Sequence, residues 1–254
     1  MIPRARYRNI LLIIITLMTP FCCCAAEKVD FLDDDFYADD IPGDTVPDPL
    51  EPFNRAMFEF NDVTYTYVLD PVASAYSEIV AQDFRTIIGN FFNNLEEPVR
   101  FVNCLLQGRV RDSGTVLGRF AVNTVFGVFG LGDPARTEFD LQPTNASLGE
   151  TLAVWGVHDG FYLVMPLFGS TTLRDFSGTM VDAFFATPYY SWTDDYSVMA
   201  GIYVGKEVNK LSFHLNEYDE LKKMSFDPYI ALRNGYFQYR ERLRDHSGYS
   251  RKIE

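Results

Sequence analysis

This chain of 254 residues lacks nearly every pattern by which an enzyme is recognised. Its three histidines, His158, His214 and His246, lie far apart and in no metal-ligand spacing, so no metal centre is expected. There is no G-x-S-x-G elbow, and Ser170 in FGSTT has no histidine close by in sequence. GIYVGK at 201–206 approaches a phosphate loop, but it is one residue short and Glu207 stands where Ser or Thr would hold the magnesium. His158-Asp159 is the one pair that reads as acid and base, and it sits in a block dominated by glycine and aromatics. ATP-driven work is excluded by these absences. Catalysis and cofactors are not expected.

Cysteine is also scarce. Of four, Cys22, Cys23 and Cys24 are consecutive near the N-terminus and only Cys104 lies in the body, so no intrachain disulfide framework exists there. Cys104, in the apolar helical face of VRFVNCLLQ, reads as a buried small hydrophobe. Basic residues accumulate nowhere in the body, which argues against nucleic acid as a partner. No apolar run approaches the roughly 20 residues of a spanning helix.

The short apolar run that is present, ILLIIITLM at 10–18, follows Arg4, Arg6 and Arg8 and precedes Pro20 and small residues, the layout of a secretory signal. Cys24 fits a lipidation site best, with Phe21 at −3 and small Cys22 and Cys23 between; cleavage after Ala26 is the alternative. If Cys24 is the new N-terminus, no Asp follows at +2 to retain a lipoprotein in the inner membrane. From Glu27 to Glu51 run ten acids against Lys28, −9 of the total charge of −13. With Pro42, Pro47 and Pro49, this stretch reads as a solvated tether. The expected organisation is a signal region at 1–26, a disordered acidic tether at 27–47, one domain at 48–245 and a polar tail at 246–254.

The body reads as mainly α. Phe84, Ile87, Ile88, Phe91, Phe92 and Leu95 form one stripe of a 3.6-residue helix. Glu96-Glu97-Pro98 is expected to bend or break it before Val99, Val102 and Leu106 resume an apolar face. Asp227-Pro228 opens a helix carrying Ile230, Leu232, Tyr236, Phe237 and Tyr239. Thr172 with Asp175 resembles a capping box, and Asp194 or Asp195 caps a helix through Met199, Tyr203, Val208 and Leu211. The best strand candidate is 161–165. Residues 151–182 and 114–132 are too apolar for a small domain in water and too interrupted to span. Glycines spaced by four (Gly114/Gly118, Gly156/Gly160, Gly201/Gly205) suggest close helix packing; ordinary core helices with glycine at bends are the other reading.

Six blocks occur in an order that is itself informative: DPLEPFNRAMFEFN (48–61), NNLEEP (93–98), GRFAVNTVFGVFGLGDPA (118–135), LGETLAVWGV (148–157), GFYLVMPLFGSTTLRD (160–175) and DPYIALRNGYFQYR (227–240). Together they resemble the MlaA (VacJ) family of outer-membrane lipoproteins over nearly the whole body. That resemblance implies a single helical ring of amphipathic, half-bilayer helices with few short strands. The ring would lie in the inner leaflet of the Gram-negative outer membrane, bound to porin trimers. It implies an amphipathic channel that takes mislocalised phospholipid from the outer leaflet and hands it to a soluble periplasmic carrier of the MlaC kind. The 22 Phe and 15 Tyr suit a body seated at an interface. A structural lipoprotein that organises porins without conducting lipid is the alternative.

On the matching blocks, Phe60 and Asn61 fall in the family's Phe/Asn-rich first helix and are expected to touch the channel or its gating loop; a helix-surface amide is the other reading of Asn61. Gly127, Gly130 and Gly132 would let a channel-side loop move; a helix C-terminus is the other reading of Gly130. Arg174 and Asp175 either orient headgroups or pair with each other. Transport direction, the porin and the tether's role are not fixed by these residues.

Overall fold

The computed structural model describes residues 48–183, 195–215 and 217–246, so Cys24, the acidic tether and the tail beyond 246 lie outside the described residues. Helix α1 (Glu51–Thr64) runs through a π-helical turn (Tyr65–Leu69) into α2 (Asp70–Ile79). A hairpin of long helices follows, α3 (Gln82–Leu106) and α4 (Val110–Val125). Two short helices, α5 (Pro134–Thr137) and α6 (Leu148–Val154), lead to strands β1 (Tyr162–Met165) and β2 (Gly169–Thr172). Helices α7 (Leu173–Val181), α8 (Tyr196–Leu211), α9 (Glu217–Met224) and α10 (Pro228–His246) complete the order.

Local chemistry accounts for most of the boundaries. Thr172 and Asp195 each accept a backbone N–H at the start of α7 and α8. Asp227 accepts from Tyr229 N at 3.0 Å, with Pro228 at the first helical position. Ser147 and Glu150 close a reciprocal capping box on α6. The strand expected at 161–165 is β1, and it pairs antiparallel with β2, Tyr162 opposite Thr172 and Met165 opposite Gly169. The expected break at Pro98 is absent: α3 continues through it for 25 residues. Packing against α4 across this stretch holds the helix together despite the missing donor.

The packing order closes on itself. Helix α1 lies on β1, β1 pairs with β2, and β2 touches α7. From there α7 packs on α6, α6 on α3, α3 on α8 and α8 on α2, which returns through the π turn to α1. This is a mainly α ring in a single domain. Among the described residues, no helix is long and apolar enough to cross a membrane.

The ring is inverted in polarity. Among the described residues, 17 polar or charged side chains are buried against 13 hydrophobic ones, while 29 large apolar side chains stand exposed. Water-soluble domains bury charge rarely and only when it is paired. No residue of the stripe Phe84 to Leu95 is fully buried: Phe84 is 64% exposed, the other five are half-buried, and α3 fully buries Asn94, Glu97 and Asn103 beside Val99 and Cys104. Val99 is buried, but Val102 and Leu106 point outward. The four-spaced glycines do not bring helices together either. Gly114, Gly201 and Gly205 face open space, and Gly156 and Gly160 have positive φ outside helices. The close approach is made elsewhere: a Cβ on Gly178 would stand 2.4 Å from Gly149 N, where α7 crosses α6.

Candidate functional site

Three networks of buried polar groups bear on the sequence-predicted residues. The first joins the two ends of the domain. Asn54, fully buried, donates to Asp48 Oδ1 (2.9 Å) and Tyr162 O (3.0 Å) and accepts from Val164 N (2.9 Å). Two helical turns further along α1, Asn61 donates to Met165 O (2.9 Å) and accepts from Leu167 N (2.8 Å). The two amides therefore hold the backbone of β1 and its turn as a neighbouring strand would, and they support Leu167 at φ +66°. Arg55 makes a two-pronged ion pair with Asp227 and lies 4.4 Å from the Tyr229 ring centre. The Tyr229 hydroxyl donates to Asp48, and burial together with that carboxylate pushes its pKa up. The first, fifth and last sequence blocks thus meet at one junction.

The second network centres on Asp175, which has no exposed surface. Its carboxylate accepts from Arg174 Nε (2.7 Å) and Tyr236 Oη (2.8 Å) and pairs with Arg240 at 2.7 Å. Arg174 reaches Asp159 at 2.7 Å and Val157 O at 3.2 Å. Of the two readings of Arg174 and Asp175, the geometry displays the pair. Asp159, the neighbour of exposed His158, is committed to Arg174.

The third network fastens the α3–α4 hairpin to the loop at 126–133. Arg119 donates to Glu97 Oε1 (3.2 Å), Leu141 O (2.5 Å) and Asp133 (3.0 Å), and Asn123 donates to Asp133 at 2.8 Å. Burial raises the Glu97 pKa, against the opposing pull of Arg100 and Arg119. Below this network the loop presents Phe126, Val128 and Phe129, each more than 60% exposed. Val128 and Phe129 have φ of 54° and 58°, so two bulky residues hold the left-handed conformation that favours glycine. The loop is fixed by Gly130 N donating to Asn123 O and Gly132 N donating to Gly127 O. A Cβ on Gly130 would meet Asn94 Cβ at 2.3 Å, and one on Gly127 would meet two carbonyl oxygens at 2.5 Å. Gly127 and Gly130 are therefore packing positions in this conformation, while Gly132 is looser, with its nearest neighbour at 3.6 Å. Phe60 is 49% exposed, on the outside of α1 beside the Asn61 clamp.

Cys104 is buried without surface, and burial pushes its thiol up to about 11. Spacing did not single out Asp48, Asn54, Arg119, Arg233 and Arg240. The one signal for them was membership of the sequence blocks.

Residues 46–243 match the family described as MlaA lipoprotein. The Haemophilus influenzae protein named intermembrane phospholipid transport system lipoprotein MlaA is 36% identical over 193 residues, 75% of this chain and 76% of that protein. Its namesake from Escherichia coli strain K12 is 41% identical over 195 residues, with the same shares. A chain solved in work on the structural basis for maintenance of bacterial outer membrane lipid asymmetry superposes with a TM-score of 0.69 at 36% identity. The match covers 78% of this chain and 99% of that one. By sequence, by order of elements and by fold, this chain belongs to the MlaA lipoprotein family.

Proposed function

We propose that this envelope lipoprotein removes mislocalised phospholipid from the outer leaflet of the outer membrane and passes it to a periplasmic carrier, maintaining lipid asymmetry. The names of its relatives support a place in an intermembrane phospholipid transport system. The observation that carries the mechanism is the inverted ring: apolar side chains outside, charged and amide side chains within. Hydrocarbon solvates the exterior at no cost, whereas a headgroup crosses a leaflet cheaply only beside polar groups. A closed ring of this polarity meets both needs.

In this reading the body sits in the inner leaflet, tethered through a lipid on Cys24 and associated with a porin trimer, with a soluble MlaC-like carrier as acceptor. Phe60 meets lipid at the rim of α1, and the loop carrying Gly127, Gly130 and Gly132 borders the route. The test is a deletion strain carrying a reporter of outer-leaflet phospholipid. Phospholipid should accumulate in that leaflet and the detergent barrier weaken, with both reversed by the full chain. An unchanged reporter beside altered porin organisation would replace lipid conduction with a structural role.

A further inference from the structure

Among the described residues, most buried guanidinium groups are consumed by the fold. Arg119 has Glu97, Asp133 and Leu141 O, Arg174 has Asp175, Asp159 and Val157 O, and Arg240 has Asp175. Arg174 Nη2 and Arg240 Nε are also sealed without a hydrogen-bond partner, but both side chains hold Asp175 at 2.7 Å through another nitrogen. Arg233 on α10 has no acid that close among the described residues. It is 5% exposed, its Nε is sealed with no hydrogen-bond partner, and its nearest acid, Asp48 Oδ2, stands 3.9 Å from Nη1. That is an ion pair too long to be a hydrogen bond. Asp48 is moreover committed to other donors, Asn54 Nδ2 at 2.9 Å, Leu50 N at 3.2 Å and the Tyr229 hydroxyl. Arg55 has moved out of competition by pairing with Glu51 and Asp227. A buried cation with unmet donors is costly, so a partner that supplies acceptors would be bound favourably there.

We propose that Arg233 is the phosphate-binding group of the lipid route, engaging the phosphodiester of a phospholipid headgroup; this rests on the transport reading above. The planar fork of a guanidinium matches two phosphate oxygens, which a water molecule does not. The Tyr229 ring centre lies 5.9 Å from the guanidinium, a cation–π contact that consumes none of its donors. Ile230, one turn earlier on α10, is 37% exposed, an apolar neighbour for an acyl chain.

The test uses the full chain in detergent, with dioleoyl phosphatidylethanolamine, dioleoylglycerol and inorganic phosphate as probes. The wild type should prefer the phospholipid over the diacylglycerol. Arg233→Gln should lose about tenfold or more of that preference while binding diacylglycerol as before, and Arg233→Lys should retain part of it. A full preference in Arg233→Gln overturns the assignment. Displacement of the phospholipid by inorganic phosphate at equal concentration overturns the lipid source. Wild type that binds neither lipid overturns the transport reading as well. If Arg233→Gln does not fold, the wild type decides alone. Its guanidinium nitrogens should be dephased by lipid phosphorus in solid-state NMR, and absence of dephasing refutes the contact.

Discussion

Replacing Asp175 by Asn tests whether this carboxylate belongs to the fold or to the lipid. It accepts from Arg174 at 2.7 Å and Tyr236 at 2.8 Å, pairs with Arg240 at 2.7 Å, and has no exposed surface. Asn preserves the shape but removes the charge shared by two buried guanidiniums. Removing one member of a buried ionic network costs about 3–5 kcal/mol, because the partners stay buried without compensation. For a domain of this size, about 2–4 °C of Tm accompanies each kcal/mol, so a fall of roughly 6–20 °C is expected in detergent. Tyr236→Phe is the control. It removes one neutral donor and should cost about 1 kcal/mol, or roughly 2–4 °C. Thermal unfolding followed by circular dichroism reads both variants. If Asp175→Asn melts no lower than Tyr236→Phe, the carboxylate is not a structural hub and its availability to a headgroup is restored.

Four further outcomes follow from particular contacts. Gly178→Ala should destabilise by about 1–3 kcal/mol, because its Cβ would meet Gly149 backbone at 2.4 Å, whereas Gly114→Ala, facing open space in α4, should stabilise by up to about 1 kcal/mol; melting temperatures of the two variants check this. Asn61→Asp removes the donor to Met165 O and should cost about 1–3 kcal/mol, with faster proteolysis at the β1–β2 turn. Asp182 has its folded pKa raised, chiefly by burial, so its stabilising contribution is present below the unfolded carboxylate value and lost as pH rises through the folded one. Asp227, held down chiefly by its hydrogen bond from Arg55, does the opposite, losing its contribution as pH falls; pH-melting curves of Asp182→Asn and Asp227→Asn should flatten on opposite sides. Phe129→Asp should weaken membrane retention of the folded body, since each exposed Phe contributes about 1.5–3 kcal/mol on entering hydrocarbon, and flotation with vesicles measures it.

Local chemistry was legible along the chain. Asp227-Pro228, Thr172 and Asp195 start helices where they stand, because a cap needs only its own turn of backbone. The strand at Tyr162–Met165 and the inert Cys104 were equally readable. The membership of the six blocks in one family was also settled by order and identity alone. Pro98 does not end α3, which runs as one helix from Gln82 to Leu106.

The inward face was not legible. An amphipathic helix displays two faces, and the sequence period says that they differ without saying which solvent each one meets. Phe84 and Asn94 on α3 would read the same way for a helix in water, with the apolar stripe inward. Only the packing of elements against one another brings Glu97 to Arg119, Asn54 to Tyr162 and Asp175 to Arg240, and those pairings turn the polar face inside. Residues from Asp48 to Arg240 determined by themselves the helices, their caps and the family. The tertiary structure alone decided the polarity of the interior, because that depends on which faces meet across long sequence separations.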